Sequence, residues 1–207
     1  MAETHRIPLF PLDVVLLPST PLPLHIFEPR YKLMIRNCLS EKLEFGMVLA
    51  SNKSVANIGC TAAILRLTKE YPDGRMDILT EGHRVFRISE ILDEKDYHEG
   101  IVEYLVDEPS EMGQTVKSEL LLLFTQCHAL LFGHPWDEAE PLQPATLAYR
   151  IAGRLPMELS GRQALLEMRK EEDRRLYLLE WLTRFLPKLA DRERKRQRAG
   201  GNGHALN

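Results

Sequence analysis

The sequence predicts an α+β fold with a strand-rich first half and a helical second half. Up to about residue 108 short apolar runs alternate with turn signals, and beyond about residue 112 apolar residues recur at the helical period. The 207 residues are 44% hydrophobic and 28% charged, the composition of an ordinary globular protein rather than a fibrous or disordered chain. The period switch sets expected boundaries: a β-barrel subdomain over 1–110, a helical bundle over 111–190 and a basic, disordered tail over 191–207.

The opening stretch, "IPLFPLDVVLLPSTPLPLHIFEPRYKLMI" at 7–35, places six prolines in what otherwise reads as strand. A proline cannot donate a ladder hydrogen bond, so it belongs at strand starts, edges and bulges. The chain is therefore expected to pair briefly, bend and pair again: Pro8, Pro11 and Pro18 bracket short strands "LF" and "DVVLL", and Pro21 and Pro23 deliver the chain into "LHIF". One helix follows. Glu28 can cap it, Pro29 suits the first position, and Tyr31, Met34, Ile35 and Cys38 share one face that should pack across the barrel.

Strands are expected at 45–51, 60–71, 75–81, 83–92 and 98–108. "YPDG" at 71–74 is a hairpin turn, because Pro presets φ, Asp accepts a local bond and Gly tolerates positive φ. In "HRVFRI" strict alternation would put Arg84 with Phe86 and Val85 with Arg87, so the sheet must curve strongly or accept an arginine on its inner face.

Helical spacing in the second half predicts four helices. Val116, Leu120, Leu123, Cys127 and Leu130 form one stripe, ending at Gly133 with Pro135 beyond. Pro144 can open a second helix carrying Leu147, Ile151 and Leu155, stopped by Pro156. "SGRQ" at 160–163 has capping-box spacing before "ALLEM". Leu176, Leu179, Leu182 and Leu186 mark the last helix, which Pro187 ends or bends.

The opening stretch resembles the Lon N-terminal domain family, the substrate-binding module of Lon proteases that also occurs as a free-standing bacterial protein. The residues that carry the resemblance are Pro8, Leu9, Pro11, Leu12, Val14, Val15, Pro18, Pro23, Leu24, Ile26, Phe27, Glu28, Pro29, Arg30 and Tyr31. It continues through "FGMVL", the strand after Gly59, "EGHRVFRI" at 81–88, "LAYRIAGRLPMELSGRQALLEM" and the Arg175-Leu176 pair, and so covers roughly residues 5–187. The resemblance implies a PUA-like β pseudo-barrel with one inserted helix, followed by a C-terminal helical bundle. It also implies a protein that binds polypeptide segments, unfolded or degron-bearing, alone or with a protease or chaperone partner.

Catalytic motifs are missing. The chain contains no GxxxxGK[ST] phosphate loop, no GxSxG elbow and no HExxH pair, so neither ATP hydrolysis nor peptide-bond cleavage is expected. No cofactor and no metal site are expected either. Cys38, Cys60 and Cys127 are too far apart for a CxxC motif and read as reduced, buried side chains. His25, His83 and His98 sit singly in strands, and His128 and His134 flank a helix end. No apolar run approaches a membrane span and no secretory leader is visible, so a cytoplasmic location is expected.

Strand addition to an open edge is the expected mode of peptide binding, in a groove between barrel and bundle near "PSTPLPLHIF", with Leu24, Phe27, Glu28, Arg30, Tyr31, Arg84 and Phe86 as the candidate contacts. Structural roles compete at each: Glu28 and Arg30 can cap and lock the helix, and Arg84 and Arg87 can form ion pairs within the sheet. RNA binding is the alternative function, since PUA-like barrels elsewhere bind RNA and residues 191–198 carry five positive and two negative charges. With a net charge of -3 for the whole chain, residues 1–190 stand near -6, which disfavours nucleic acid. An accessory enzyme with an unfamiliar site would instead need a pocket holding a titratable pair.

Overall fold

The computed structural model describes residues 3–51, 54–109, 114–136 and 146–201. Contacts divide the chain into two units, Met1–Glu108 with Ala152–Arg169, and Pro109–Ile151 with Lys170–Asn207.

Among the described residues seven strands and five helices follow one another as β1 (Thr4–Leu12), β2 (Pro21–Ile26), α1 (Pro29–Glu41), β3 (Phe45–Ser51), β4 (Ser54–Val55), β5 (Ile58–Glu70), β6 (Met76–Leu92), β7 (Glu99–Tyr104), α2 (Gln114–Phe132), α3 (Leu147–Gly153), α4 (Leu159–Glu167) and α5 (Glu171–Gly201). The α+β class is as expected. The sheet runs β1-β7-β6-β5-β3-β4, and a parallel pairing of β1 with β3 closes five of its strands into a barrel. Closure removes the edges that an open sheet would expose.

The barrel interior is apolar: Ile7, Leu9, Val48, Phe86 and Val102 form its core cluster. Two glycines make room for its largest member, since a Cβ on Gly46 or on Gly59 would stand 2.6 Å from the end of the Phe86 ring. Val85 and Phe86 are both buried while Arg84 and Arg87 are both exposed. The strong curvature required by "HRVFRI" is thus present, helped by an irregularity between Ile88 and Glu90.

The prolines act differently from the expectation. Pro8 and Pro11 lie inside one continuous strand, β1, and "DVVLL" is not a strand but an extended crossing whose Val15, Leu16 and Leu17 are buried. It ends at Gly82. There Ser19 N–H donates to Gly82 O at 2.7 Å, Gly82 N–H donates to Thr20 O at 3.0 Å, and the Thr20 hydroxyl donates back to Leu17 O at 2.6 Å. The Leu17 carbonyl oxygen would lie 2.1 Å from any Cβ at position 82, so glycine alone fits. The two strands expected at 75–81 and 83–92 are therefore one long strand, β6, crossed at its glycine.

Before the crossing, β6 lies outside the barrel. Its first half pairs with β2 on one side and with the second half of β5 on the other, making a three-stranded ribbon. The "YPDG" turn joins β5 to β6 as expected, with Gly74 at φ 78°, its N–H donating to Tyr71 O at 2.8 Å, and Asp73 accepting from Arg75 N–H at 3.1 Å.

In α1 the buried face is the expected one, Tyr31, Met34, Ile35 and Cys38. Glu28 occupies the N-cap position without a side-chain cap bond, its carboxylate being held by Arg30 instead. Burial pushes the Cys38 thiol up to about 12. In α4 the N-cap is Glu158, not Ser160, and Gln163 reaches out to Ile58 O at 3.1 Å rather than back to a cap. That contact and the buried Leu165 and Leu166 belong to the unit that contains the barrel, whereas all of 111–190 was expected in the bundle.

In the other unit α2 packs on α5. The buried face of α2 is Leu120, Phe124, Cys127 and His128, and Gly133 ends it at φ 81°. The second predicted helix appears as α3; Pro144, expected to open it, lies outside the described residues. Leu178 and Leu182 are buried in α5, whereas Leu176 is exposed, because the core positions one turn earlier are arginines. Arg174 and Arg175 each donate from Nε to the buried Glu171 carboxylate at 3.0 Å, and Arg174 also donates to the Tyr149 hydroxyl at 2.9 Å. Pro187 lies inside α5, which continues to Gly201, so residues 191–201 are helical rather than a disordered tail. Ion pairs within one turn support that extension, among them Asp191 with Lys195 at 2.9 Å.

Candidate functional site

Pairing register decides which ribbon side chains meet. Pro23 stands opposite Leu79 and His25 opposite Asp77, while on the other flank Arg66 stands opposite Leu79 and Lys69 opposite Asp77. Cross-strand partners share a face. The alternate residues Met76, Ile78 and Thr80 are buried, so the first set faces outward. That outer face is an open groove of about 420 Å³ lined by Pro23, Leu24, His25, Arg66, Thr68, Asp77, Ile78 and Leu79.

A polar relay sits at the turn end of the groove. Asp77 Oδ1 is 2.5 Å from His25 Nδ1, Asp77 Oδ2 accepts from the Tyr71 hydroxyl at 2.9 Å, and the Thr68 hydroxyl donates to Asp77 O at 2.8 Å. The bonds from His25 and then Tyr71 stabilise the anion and hold the Asp77 carboxyl below its ordinary value. Phe27 stacks near His25 with ring centroids 6.0 Å apart, and it is 59% exposed. Lys69 lies 4.3 Å above the Tyr71 ring, and Arg75 is bound to Asp73 at 2.7 Å.

Neither ribbon edge is equipped for strand addition. Thr20 O accepts from Gly82 N–H and Leu22 O from the Thr80 hydroxyl, so the even-numbered residues of β2 turn their backbone groups toward β6. Pro21, Pro23 and His25 therefore face the open side, where two of the three positions lack an N–H. On the opposite edge, β5 has register shifts between Ile64 and Arg66 and again between Leu67 and Lys69. Prolines and bulges of this kind blunt an edge.

The sequence-predicted residues separate. Leu24 lines the groove and Phe27 stands at its end. Glu28 and Arg30 bind one another just beyond, with the Arg30 guanidinium 4.5 Å over the Tyr31 ring. Tyr31 itself is buried, its ring 4.2 Å from Phe10, and Phe86 fills the barrel, so neither presents a side chain to a partner. Arg84 lies past Gly82, 3.8 Å over the Tyr104 ring and donating to its hydroxyl at 3.1 Å. The same cluster holds Glu44 against His83 at 2.6 Å, and although burial opposes ionisation, bonds from Thr61 and His83 keep the Glu44 carboxyl below its usual value. His25, Arg66, Thr68, Asp77 and Leu79 were not singled out as groove residues by sequence. The alternation in "PLPLHI" and "MDILT" carries their outward phase, but the pairing of β2 with β6 joins residues 50 to 60 positions apart.

A second cavity of about 340 Å³ opens at one mouth of the barrel, lined by Leu9, Pro11, Val48, Val55 and Ile91, with Asp93 and His98 paired at 2.5 Å. Its walls include core side chains, and the two polar groups at its rim bond one another. Among the described residues no group of three His, Cys, Asp or Glu side chains could hold a metal ion, and no helix is long and apolar enough to cross a membrane.

Comparison with known proteins agrees with this architecture. The family model of the ATP-dependent protease La (LON) substrate-binding domain matches residues 6–184. Lon protease of Escherichia coli K12 is 26% identical over 214 residues, covering 95% of this chain and 27% of its own length. Lon protease 2 of Syntrophobacter fumaroxidans is 25% identical over 198 residues, covering 89% and 25%. The chain thus spans about a quarter of the length of these relatives. Among solved structures, the Lon N-terminal domain protein from Xanthomonas campestris superposes with a TM-score of 0.69 at 27% identity, covering 86% of this chain and 98% of that one. The N-terminal domain of Mycobacterium avium complex Lon protease shares the fold, with a TM-score of 0.63 at 18% identity and the same coverage. The chain belongs to the LON substrate-binding domain family.

Proposed function

We propose that this protein is a non-catalytic, cytoplasmic module that binds extended polypeptide segments, unfolded or degron-bearing, across the outer face of the β2-β6-β5 ribbon. One observation carries this placement: an open groove with apolar walls, an exposed aromatic end and polar groups along it, in a chain of a substrate-binding family. A segment lying there places apolar side chains against Pro23 and Leu79 and an aromatic one on Phe27. Backbone pairing contributes little, because β2 offers few outward donors, so affinity comes from side chains. Leu24 and Phe27 keep the contact role expected from sequence, and Glu28 with Arg30 fixes the end of the groove at the start of α1.

RNA gains no such support. The cations of the ribbon are interleaved with Asp73 and Asp77, and the family is one of substrate-binding domains. A permanently unfolded polypeptide, labelled and titrated with the protein, tests the proposal. Phe27→Ala and Leu79→Asn are expected to weaken binding at least about fivefold, as loss of a buried apolar contact does, while Arg84→Ala leaves it unchanged. Equal loss from all three, or from none, would move the site elsewhere.

A further inference from the structure

The groove contains one cation that the ribbon does not use. Arg75 is bound to Asp73 at 2.7 Å, Lys69 sits over Tyr71, Arg36 reaches Glu70 at 3.6 Å and His25 is engaged by Asp77. Arg66 is exposed in the groove lining, opposite Leu79, and forms no ion pair with any described residue. The carboxylate in the same groove is committed: both oxygens of Asp77 are occupied, by His25 and by Tyr71. A bound segment therefore meets an unspent guanidinium next to an apolar wall.

From this we infer that the module selects segments in which an internal Asp or Glu lies next to an apolar or aromatic residue, with Arg66 taking the acidic side chain. The inference rests on the groove proposed above as the binding face. Arg66 presents a planar fork of donors suited to a carboxylate, and the side chains of Pro23 and Leu79 shield one flank of that pair from water. Because the groove is open, an extended chain can run through it, which favours an internal side chain over a chain terminus.

Three short labelled peptides test the inference by fluorescence anisotropy at low salt: one with a Phe-Glu step and an amidated end, its Phe-Gln analogue with an amidated end, and the Phe-Gln analogue with a free terminal carboxylate. The wild type is expected to prefer the Phe-Glu peptide about three- to tenfold, the range between an exposed ion pair and a partly desolvated one. Arg66→Gln should erase the preference, and Arg66→Lys should restore part of it. High salt should shrink it. Equal binding of all three peptides by wild type, with Phe27→Ala still weakening each, would overturn the acidic selectivity and leave the groove standing. An Arg66-dependent preference for the free terminal carboxylate over the internal Glu would overturn the internal assignment. Insensitivity of every peptide to Phe27→Ala, Leu79→Asn and Arg66→Gln would overturn the groove itself.

Discussion

The barrel interior and the ribbon face are built from the same two long strands, β5 and β6, on either side of Gly82. Past the glycine, β6 is flanked by β5 and β7, the sheet closes, and Phe86 fills the space left by Gly46 and Gly59. Before it, β6 is flanked by β5 and β2, the sheet stays open, and its outer face carries an exposed histidine-carboxylate pair, an arginine and a phenylalanine. Close-packed side chains stabilise a fold, whereas exposed ion pairs contribute little. One strand pair thus closes into the packed barrel at one end and presents the proposed binding face at the other.

The comparison breaks most severely at its packed end. Phe86→Ala is expected to cost about 3–5 kcal/mol, the range for emptying an aromatic core site, read as a lowered denaturant midpoint. Gly82→Ala should cost about 2–3 kcal/mol by overpacking, because its methyl group would meet the Leu17 carbonyl at 2.1 Å. Its signature is local: hydrogen exchange should quicken at Ser19 and Gly82, whose amides bridge the crossing, before it quickens within the barrel.

The smallest effect is electrostatic and sharpens the contrast. The Asp77 carboxyl is held below its ordinary value by His25 and Tyr71, so its folded pKa is lower than its unfolded pKa. The stabilisation is present above the unfolded value, about 3.9 for Asp, and is lost as pH falls through the folded value. Removing the strongest donor, in His25→Ala, should raise the Asp77 pKa toward the unfolded value in a carboxyl NMR titration while barely moving the denaturation midpoint at neutral pH.

Local features were the legible ones. The "YPDG" turn, α1 with its buried face and the Gly133 stop are set by residues a few positions apart, and each stands where the sequence predicts it. Long-range pairing was not. "DVVLL" has the composition of a strand, but its backbone is taken up in the crossing over Gly82, a contact more than 60 positions away. In α5 the apolar pattern pointed to Leu176, because the true core phase runs through Arg174 and Arg175, which both bond the Glu171 carboxylate. In α2 the run of four leucines before Phe124 leaves the helical phase undetermined, and packing selects Phe124 and His128. The groove escaped detection for the first of these reasons: its walls come from three strands, one of which joins from far along the chain. Leu24 and Phe27 border the groove and lie in the proline-rich stretch itself, whereas Phe86 fills the barrel, because alternation does not tell inside from outside in a closed barrel.

The proposed binding mode places a polypeptide segment on the ribbon face and not in the barrel. Backbone chemical-shift mapping of the full chain, titrated with an unfolded peptide containing a Phe-Glu step, addresses it most directly. Shifts are expected to cluster at residues 21–27, 66–71 and 77–79 with the barrel strands unmoved. Shifts centred instead on Leu9, Val48 and Ile91 would place binding at the barrel mouth and contradict it.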